Sequence, residues 1–197
     1  MIYIIRHGET NYNAQKRMQG QTDIELNENG RTLAKNLAEE FKDIRLDEII
    51  TSDLKRASET ANIINQYHNI IVRQDNRLRE FNYGTIEGRL RDELTPETWE
   101  RYNKDPHSFN AETMEEIFER VKSFWTEVKK EPIDKNILVV SHGGPIKVSK
   151  YYFDHGDKFD YSIFLKDYMH GMKIKNLEVL KIDNTELIKD EDVEVDR

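Results

Sequence analysis

The chain has 197 residues, of which 37% are hydrophobic and 35% charged, with a formal net charge of −8. Its apolar residues are clustered and periodic, so it reads as one folded domain with a substantial core and not as a disordered polymer. It holds no cysteine, which excludes a disulfide framework and thiol chemistry and suits the reducing cytoplasm expected for it.

No apolar run approaches the ~20 residues of a membrane span, and no secretory leader is legible at the start. No basic stripe interleaved with aromatics supports nucleic-acid binding. The negative charge is uneven: residues 183–197 hold seven acids against Lys189 and Arg197, leaving about −3 for the rest. That stretch reads as a solvated, frayed acidic tail on a near-neutral body.

Taken in order, Ile2-Tyr3-Ile4-Ile5 is an apolar, β-branched run expected to form a buried strand. It ends in Arg6-His7-Gly8-Glu9-Thr10, a loop suited to an anion. Arg6 offers a permanent cation and a planar fork of donors, and a neutral His7 can act as a nucleophile. Asn13 and residues 18–23 read as loop. Asn27 is placed to cap a helix over 28–42, with Leu33, Ala34, Leu37, Ala38 and Phe41 on one face. Residues 47–51 read as a second strand running into Ser52-Asp53-Leu54-Lys55-Arg56, where a helix starts and continues to Tyr67. Residues 70–72 read as a third strand.

Residues 78–84 read as irregular backbone closed by Glu87-Gly88. The polar stretch 89–112, with Pro96, Pro106 and a short helix near 98–102, is expected to be a lid-like insertion. Residues 114–128 give the strongest amphipathic helix, whose aromatic and methionine positions are core. Ile137-Leu138-Val139-Val140 then runs into Ser141-His142-Gly143-Gly144, and Pro145 suits the first turn of another helix. Residues 154–172 stay ambiguous, and 177–182 alternates like a half-exposed strand that permits a monomer or a homodimer.

Strands alternating with helices predict a mainly parallel sheet covered on both faces. Two strands that each deliver a His-Gly at the carboxyl end point to one site, since ligands in open α/β sheets bind there. Arg6, His7, Arg56 and His142 would then surround one point, with the amides of Gly143-Gly144 and a helix N-terminus beside them, as a tetrahedral dianion requires.

These residues carry a resemblance. Arg6-His7-Gly8-Glu9-Thr10 with Asn13, Ser52-Asp53-Leu54-Lys55-Arg56-Ala57, Leu78-Arg79-Glu80 leading to Tyr83-Gly84 and Glu87-Gly88, and Ser141-His142-Gly143-Gly144 resemble, in order, the motifs of the histidine phosphatase (phosphoglycerate mutase-like) superfamily. The resemblance covers roughly residues 2–182. It implies a three-layer α/β/α sandwich and a phosphohistidine intermediate on His7. It implies phosphate contacts from Arg6, Asn13, Arg56 and His142, beside the Gly143 amide already expected to bind substrate, and Glu80 as proton donor. The expected partner is a small phosphorylated substrate, with no metal and no cofactor.

The chemistry is consistent with that assignment. Arg6 and Arg56 should keep His7 neutral, and a backbone carbonyl on its other nitrogen would fix the tautomer. Glu80 must begin protonated and later activate water; Glu87 and Asp23 are the alternatives for that role. Loop histidines with local hydrogen bonds, or a metal site built from both histidines and Glu80, are competing readings. Arginines would be repelled by a dication. Asn13 could be a turn residue and Arg56 a solvated helix residue.

Gln19, Gln21, Tyr83 and Glu112 are either entrance residues or loop hydrogen-bonders. Where cofactor-dependent mutases usually carry Trp this chain has Gln21, and Tyr12 stands where their Trp often precedes the Asn. Lys147, where many relatives have Arg, and Asn27, where many have Thr, read as peripheral. Hydrolysis is therefore expected, with a phosphoglycerate mutase and a non-catalytic phosphate-binding scaffold as alternatives.

Overall fold

The computed structural model describes residues 1–185, so most of the acidic tail expected from 183 onward lies outside the described residues. The chain forms β1 (Ile2–Arg6), α1 (Asn11–Ala14), α2 (Glu28–Phe41), β2 (Glu48–Thr51), α3 (Lys55–Asn65), β3 (Val72–Gln74), α4 (Pro96–Lys104), α5 (Met114–Val128), β4 (Ile137–Ser141), α6 (Gly143–His155), α7 (Tyr161–Ile163) and β5 (Val179–Ile182). The strands make one five-stranded sheet in the order β3-β2-β4-β1-β5. β1, β2, β3 and β4 run parallel, and β5 pairs antiparallel with β1 at an edge.

Residue alternation along the strands sets the layers. Ile4, Ile50 and Val139 pack on one face against Phe118 and Trp125 of α5 and Tyr151 of α6. Ile5, Ile49, Leu138 and Val140 pack on the other against Leu37, Ala38 and Phe41 of α2 and Ala57, Ala61 and Ile64 of α3. The result is the expected α/β/α sandwich. Each fully buried aliphatic side chain contributes about 1.5–3 kcal/mol by leaving water, and β4 is buried at all five of its positions.

The topology places the site. β4 enters between β1 and β2, and the register sets Arg6 opposite Ser141 and Thr51 opposite Val140. Three strands therefore end level with one another, and His7, Ser52 and His142 follow those ends directly.

Several local expectations are corrected. The third strand begins at Val72, two residues late, because a left-handed turn at Asn69 and a reciprocal pair of hydrogen bonds between the Asn65 side chain and the Ile70 backbone hold the chain away from β2. Ile71 is left 89% exposed. Leu177, with φ +61, delays the last strand to Val179. Residues 11–14 are one helical turn and not loop, closed by a reciprocal Thr10–Asn13 cap.

The 89–112 segment is more firmly packed than a flap. Leu94, Tyr102 and Ala111 are buried in the core around α5, and Trp99 and Phe109 meet Tyr102 edge-on at 5.7 and 5.4 Å. Within the ambiguous 154–172 stretch, α7 continues into a π-helical turn, Phe164–His170. Its Phe164 and Tyr168 pack on Tyr151 at 5.7 and 5.3 Å.

Candidate active site

His7 and His142, 135 positions apart in sequence, lie with ring centroids 5.0 Å apart at the ends of β1 and β4. The His7 amide donates to Ser141 O at 2.9 Å, which ties the two strand exits together. His7 is fully buried, and its Nδ1 lies 2.7 Å from Gly8 O. A carbonyl only accepts, so Nδ1 carries the proton and Nε2 presents a bare lone pair. Helix α3 holds this loop: Thr60 Oγ1 accepts from the Gly8 amide at 3.0 Å and donates to Arg56 O at 2.7 Å.

Arg56, in the first turn of α3, is fully buried and not solvated. Its guanidinium donates to Thr22 O at 2.8 Å and Gly20 O at 2.6 Å, and its Nε donates to His142 Nδ1 at 3.2 Å. That bond puts the proton of His142 on Nε2. His142 Nε2 and Arg6 Nε are both buried donors without a hydrogen-bond partner among the described residues. Arg6 is steadied by a bond from its guanidinium to Ile174 O at 2.6 Å.

Glu80 completes the group. Its Oε1 accepts from the amides of Phe81 and Gly144, both at 2.9 Å, so the carboxyl docks on the N-terminal turn of α6. A Cβ at Gly143 would stand 3.7 Å from Glu80 Oε2 and 3.9 Å from Arg6 Nε. Gly143 thus lies between the two, where a side chain would take up the space an anion needs.

Burial, then the charges of Arg56 and Arg6, hold the pKa of His7 well below its ordinary 6.5. Burial, then Arg56 and the neighbouring His7, act on His142 in the same direction. Burial also lowers Arg56, to about 10, and Arg6. Two neutral imidazoles beside two guanidiniums give one nucleophilic nitrogen and several donors directed to developing negative charge.

The alternative acids are engaged elsewhere. Glu87 accepts from the amides of Gln21, Thr22 and Tyr83 at 2.9, 2.8 and 3.0 Å, clamping the 20–22 loop. Gly20, with φ +53, is required there, since a Cβ would run into that carboxylate. Asp23 accepts from the Lys55 amide at 2.7 Å at the start of α3.

The other entrance candidates divide. Gln19 is buried with its Nε2 3.5 Å from His7 Nε2, and its Oε1 is held by the Thr10 hydroxyl. Gln21 donates to Glu80 O at 3.1 Å. Glu112 pairs with Arg120 at 2.6 Å, and Arg120 donates to Glu80 O at 3.1 Å, so both brace the backbone that carries Glu80. Asn13 Oδ1 accepts from the Thr10 amide at 3.2 Å, so this oxygen serves the turn and the side-chain amide remains as a donor.

Asn176 was not legible in the sequence. Its Nδ2 donates to His7 O at 2.8 Å and reaches Asn13 Oδ1 at 3.4 Å, fixing the His7 loop from a residue late in the chain. Lys147 corrects a second expectation. It is not peripheral but half-buried on α6, one turn beyond Gly143, with Nζ donating to Met169 O at 2.7 Å. Asn27 is peripheral as expected, capping α2 through the Gly30 amide at 2.7 Å and holding Glu9 at 2.8 Å.

Comparison with known proteins agrees with this geometry. The chain is 38% identical over 145 residues to the uncharacterized phosphatase PhoE of Bacillus subtilis, covering 74% of this chain and 72% of that one. It is 39% identical over 148 residues to the probable phosphoglycerate mutase GpmB of Escherichia fergusonii, covering 72% and 69%. A mycobacterial glucosyl-3-phosphoglycerate phosphatase, solved with VO3, superposes with a TM-score of 0.68 at 33% identity over 77% of this chain and 80% of that one. Residues 2–161 match the model of the histidine phosphatase superfamily, branch 1, and the chain belongs to that superfamily.

Proposed function

We propose that the protein is a phosphomonoesterase that hydrolyses a small phosphorylated metabolite through a phosphohistidine on His7. The observation that carries this reading is the unprotonated Nε2 of His7 in a site with two buried donors, Arg6 Nε and His142 Nε2, unpartnered among the described residues. The lone pair of His7 Nε2 attacks phosphorus, the P–O ester bond breaks, and the leaving alkoxide takes a proton from Glu80. Water then attacks phosphorus and gives its proton to Glu80, the N–P bond breaks, and inorganic phosphate departs. Arg6, Arg56 and His142 hold the equatorial oxygens throughout, Asn13 and the Gly143 end of α6 add contacts, and no metal takes part. The absence of cysteine accords with work in a reducing cytoplasm.

Release of phosphate from p-nitrophenyl phosphate tests the reading. Wild-type turnover that His7→Ala reduces by about four to six orders of magnitude supports it. Equal inactivity of wild type and variant would favour a phosphate-binding scaffold. A second reading, mutase activity, is favoured by the 39% identity to a probable phosphoglycerate mutase. Interconversion of phosphoglycerates faster than phosphate release would establish it.

A further inference from the structure

Residues 174–178, late in the chain, close over residues 6–8. The Leu177 amide donates to Arg6 O at 2.9 Å, and Ile174 O accepts from the Arg6 guanidinium at 2.6 Å. Leu177 itself holds φ +61, a left-handed conformation that an L side chain keeps only where its surroundings over-determine it. Glu178 supplies part of that constraint: its side chain accepts from the Lys175 amide at 2.7 Å, and its own amide donates to Lys175 O at 3.2 Å. A strained backbone held this firmly presents one side chain, Asn176, to the loop that carries His7.

Asn176 Nδ2 has two hydrogens and three oxygens in reach: His7 O at 2.8 Å, Gly8 O at 3.3 Å and Asn13 Oδ1 at 3.4 Å. His7 is fully buried, and its carbonyl has no other hydrogen-bond partner among the described residues. Gly8 O is the acceptor that keeps the His7 proton on Nδ1. Gly8 has no Cβ to restrict its backbone, so hydrogen bonds must stop its carbonyl from turning. Nδ1 of His7 and Nδ2 of Asn176 are the two donors on it. Without the Asn176 amide, three oxygens would face one another with no hydrogen between them, and the loop would relax to separate them.

We propose that Asn176 is a positioning residue for phosphoryl transfer: it holds the Gly8 carbonyl where that carbonyl fixes the His7 tautomer, and so keeps Nε2 unprotonated and in place. His142 is held differently, its tautomer set by Arg56 Nε at 3.2 Å and with no bond to the 174–178 turn among the described residues. The two imidazoles should therefore respond differently to loss of Asn176. The effect on turnover rests on the phosphomonoesterase reading, and the effect on the tautomer does not.

The test is long-range proton–nitrogen correlation NMR of the imidazoles in wild type, Asn176→Ala and Asn176→Leu at pH 7.5, where burial leaves both rings neutral. Resonances are assigned with His7→Ala and His142→Gln. Wild type should show His7 with Nδ1 protonated and Nε2 bare. In both Asn176 variants the two His7 nitrogens should move toward each other as the second tautomer becomes populated, while those of His142 stay in place. In the same variants kcat for p-nitrophenyl phosphate should fall by about ten- to a hundredfold. Unmoved His7 nitrogens, or His7 and His142 moving together, overturn the proposal, and so does a wild-type kcat in a variant whose tautomer has shifted. Asn176→Leu fills the volume of the amide and stays informative if Asn176→Ala loosens the turn. If His7 alone shifts but wild type releases no phosphate from any ester, the phosphomonoesterase reading fails and the positioning of His7 by Asn176 stands.

Discussion

The floor of the site and its rim are built differently. At the floor three functional side chains are each gripped by main chain: His7 by Gly8 O, Arg56 by Gly20 O and Thr22 O, Glu80 by the amides of Phe81 and Gly144. At the rim, Lys147 Nζ has one bond, to Met169 O, and the exposed Arg91, anchored by its backbone to Lys16 O and Leu94 N, makes no side-chain hydrogen bond among the described residues. Strand register fixes the floor to within a hydrogen bond, whereas the rim depends on the 89–112 insertion and on residues 164–176. On the proposed function, chemistry common to any phosphate ester would belong to the first region, and discrimination between esters to the second.

Glu80→Gln gives the largest separation of the two. It should cut hydrolysis of an alkyl phosphate by about a thousandfold, because an alkoxide needs a proton, and p-nitrophenyl phosphate far less, because its leaving group does not. Equal losses on both substrates would remove Glu80 from the proton-transfer role. Next in size is Arg56→Met, which leaves Gly20 O, Thr22 O and His142 Nδ1 without their donor. A loss of about 2–4 kcal/mol in urea unfolding is expected, against within about 0.5 kcal/mol for Arg91→Met. Comparable losses would mean that floor and rim do not differ in this way.

Acid should weaken the floor before the rim. His7 and His142 are buried neutral, with folded pKa values well below 6.5, so the unfolded chain binds more protons as pH falls. Their contribution is fully present above about pH 6.5 and declines below it, by up to about 1.4 kcal/mol per pH unit for each histidine. Unfolding midpoints measured from pH 7.5 to 5 should show this slope, and His142→Gln should reduce it. An unchanged slope would contradict the burial of a neutral imidazole at that position. The smallest effect is expected at Tyr102, whose buried hydroxyl lacks a partner among the described residues. Tyr102→Phe should be neutral or stabilising by up to about 1 kcal/mol in the same assay, and a loss above that would reveal a bond to the hydroxyl.

The same division decides what could be read from sequence. β1 and β4 announce themselves as uninterrupted apolar runs, and a His-Gly after each is enough to place both imidazoles together once the sheet is parallel. Arg56 was legible because it follows a third strand exit. Asn176 was not, since its role is to bond the main chain of His7, 169 positions away, and no local pattern encodes that meeting. Lys147 looked peripheral because nothing in its neighbourhood of sequence reports that its Nζ meets Met169 O, 22 positions on. The anchoring of 89–112 was missed because Leu94, Tyr102 and Ala111 are too widely spaced in a polar stretch to give a period. Residues 154–172 were ambiguous because a π-helical turn breaks the 3.6-residue repeat.

The central claim is that the Nε2 of His7 takes the phosphoryl group before water does. Rapid acid-free quenching of wild-type protein with a phosphorus-labelled ester, followed by peptide mapping, tests it most directly. Acid-labile, base-stable label is expected on the peptide containing His7, formed within one turnover and absent from His7→Ala. Phosphate release at full rate with no label on that peptide would contradict it.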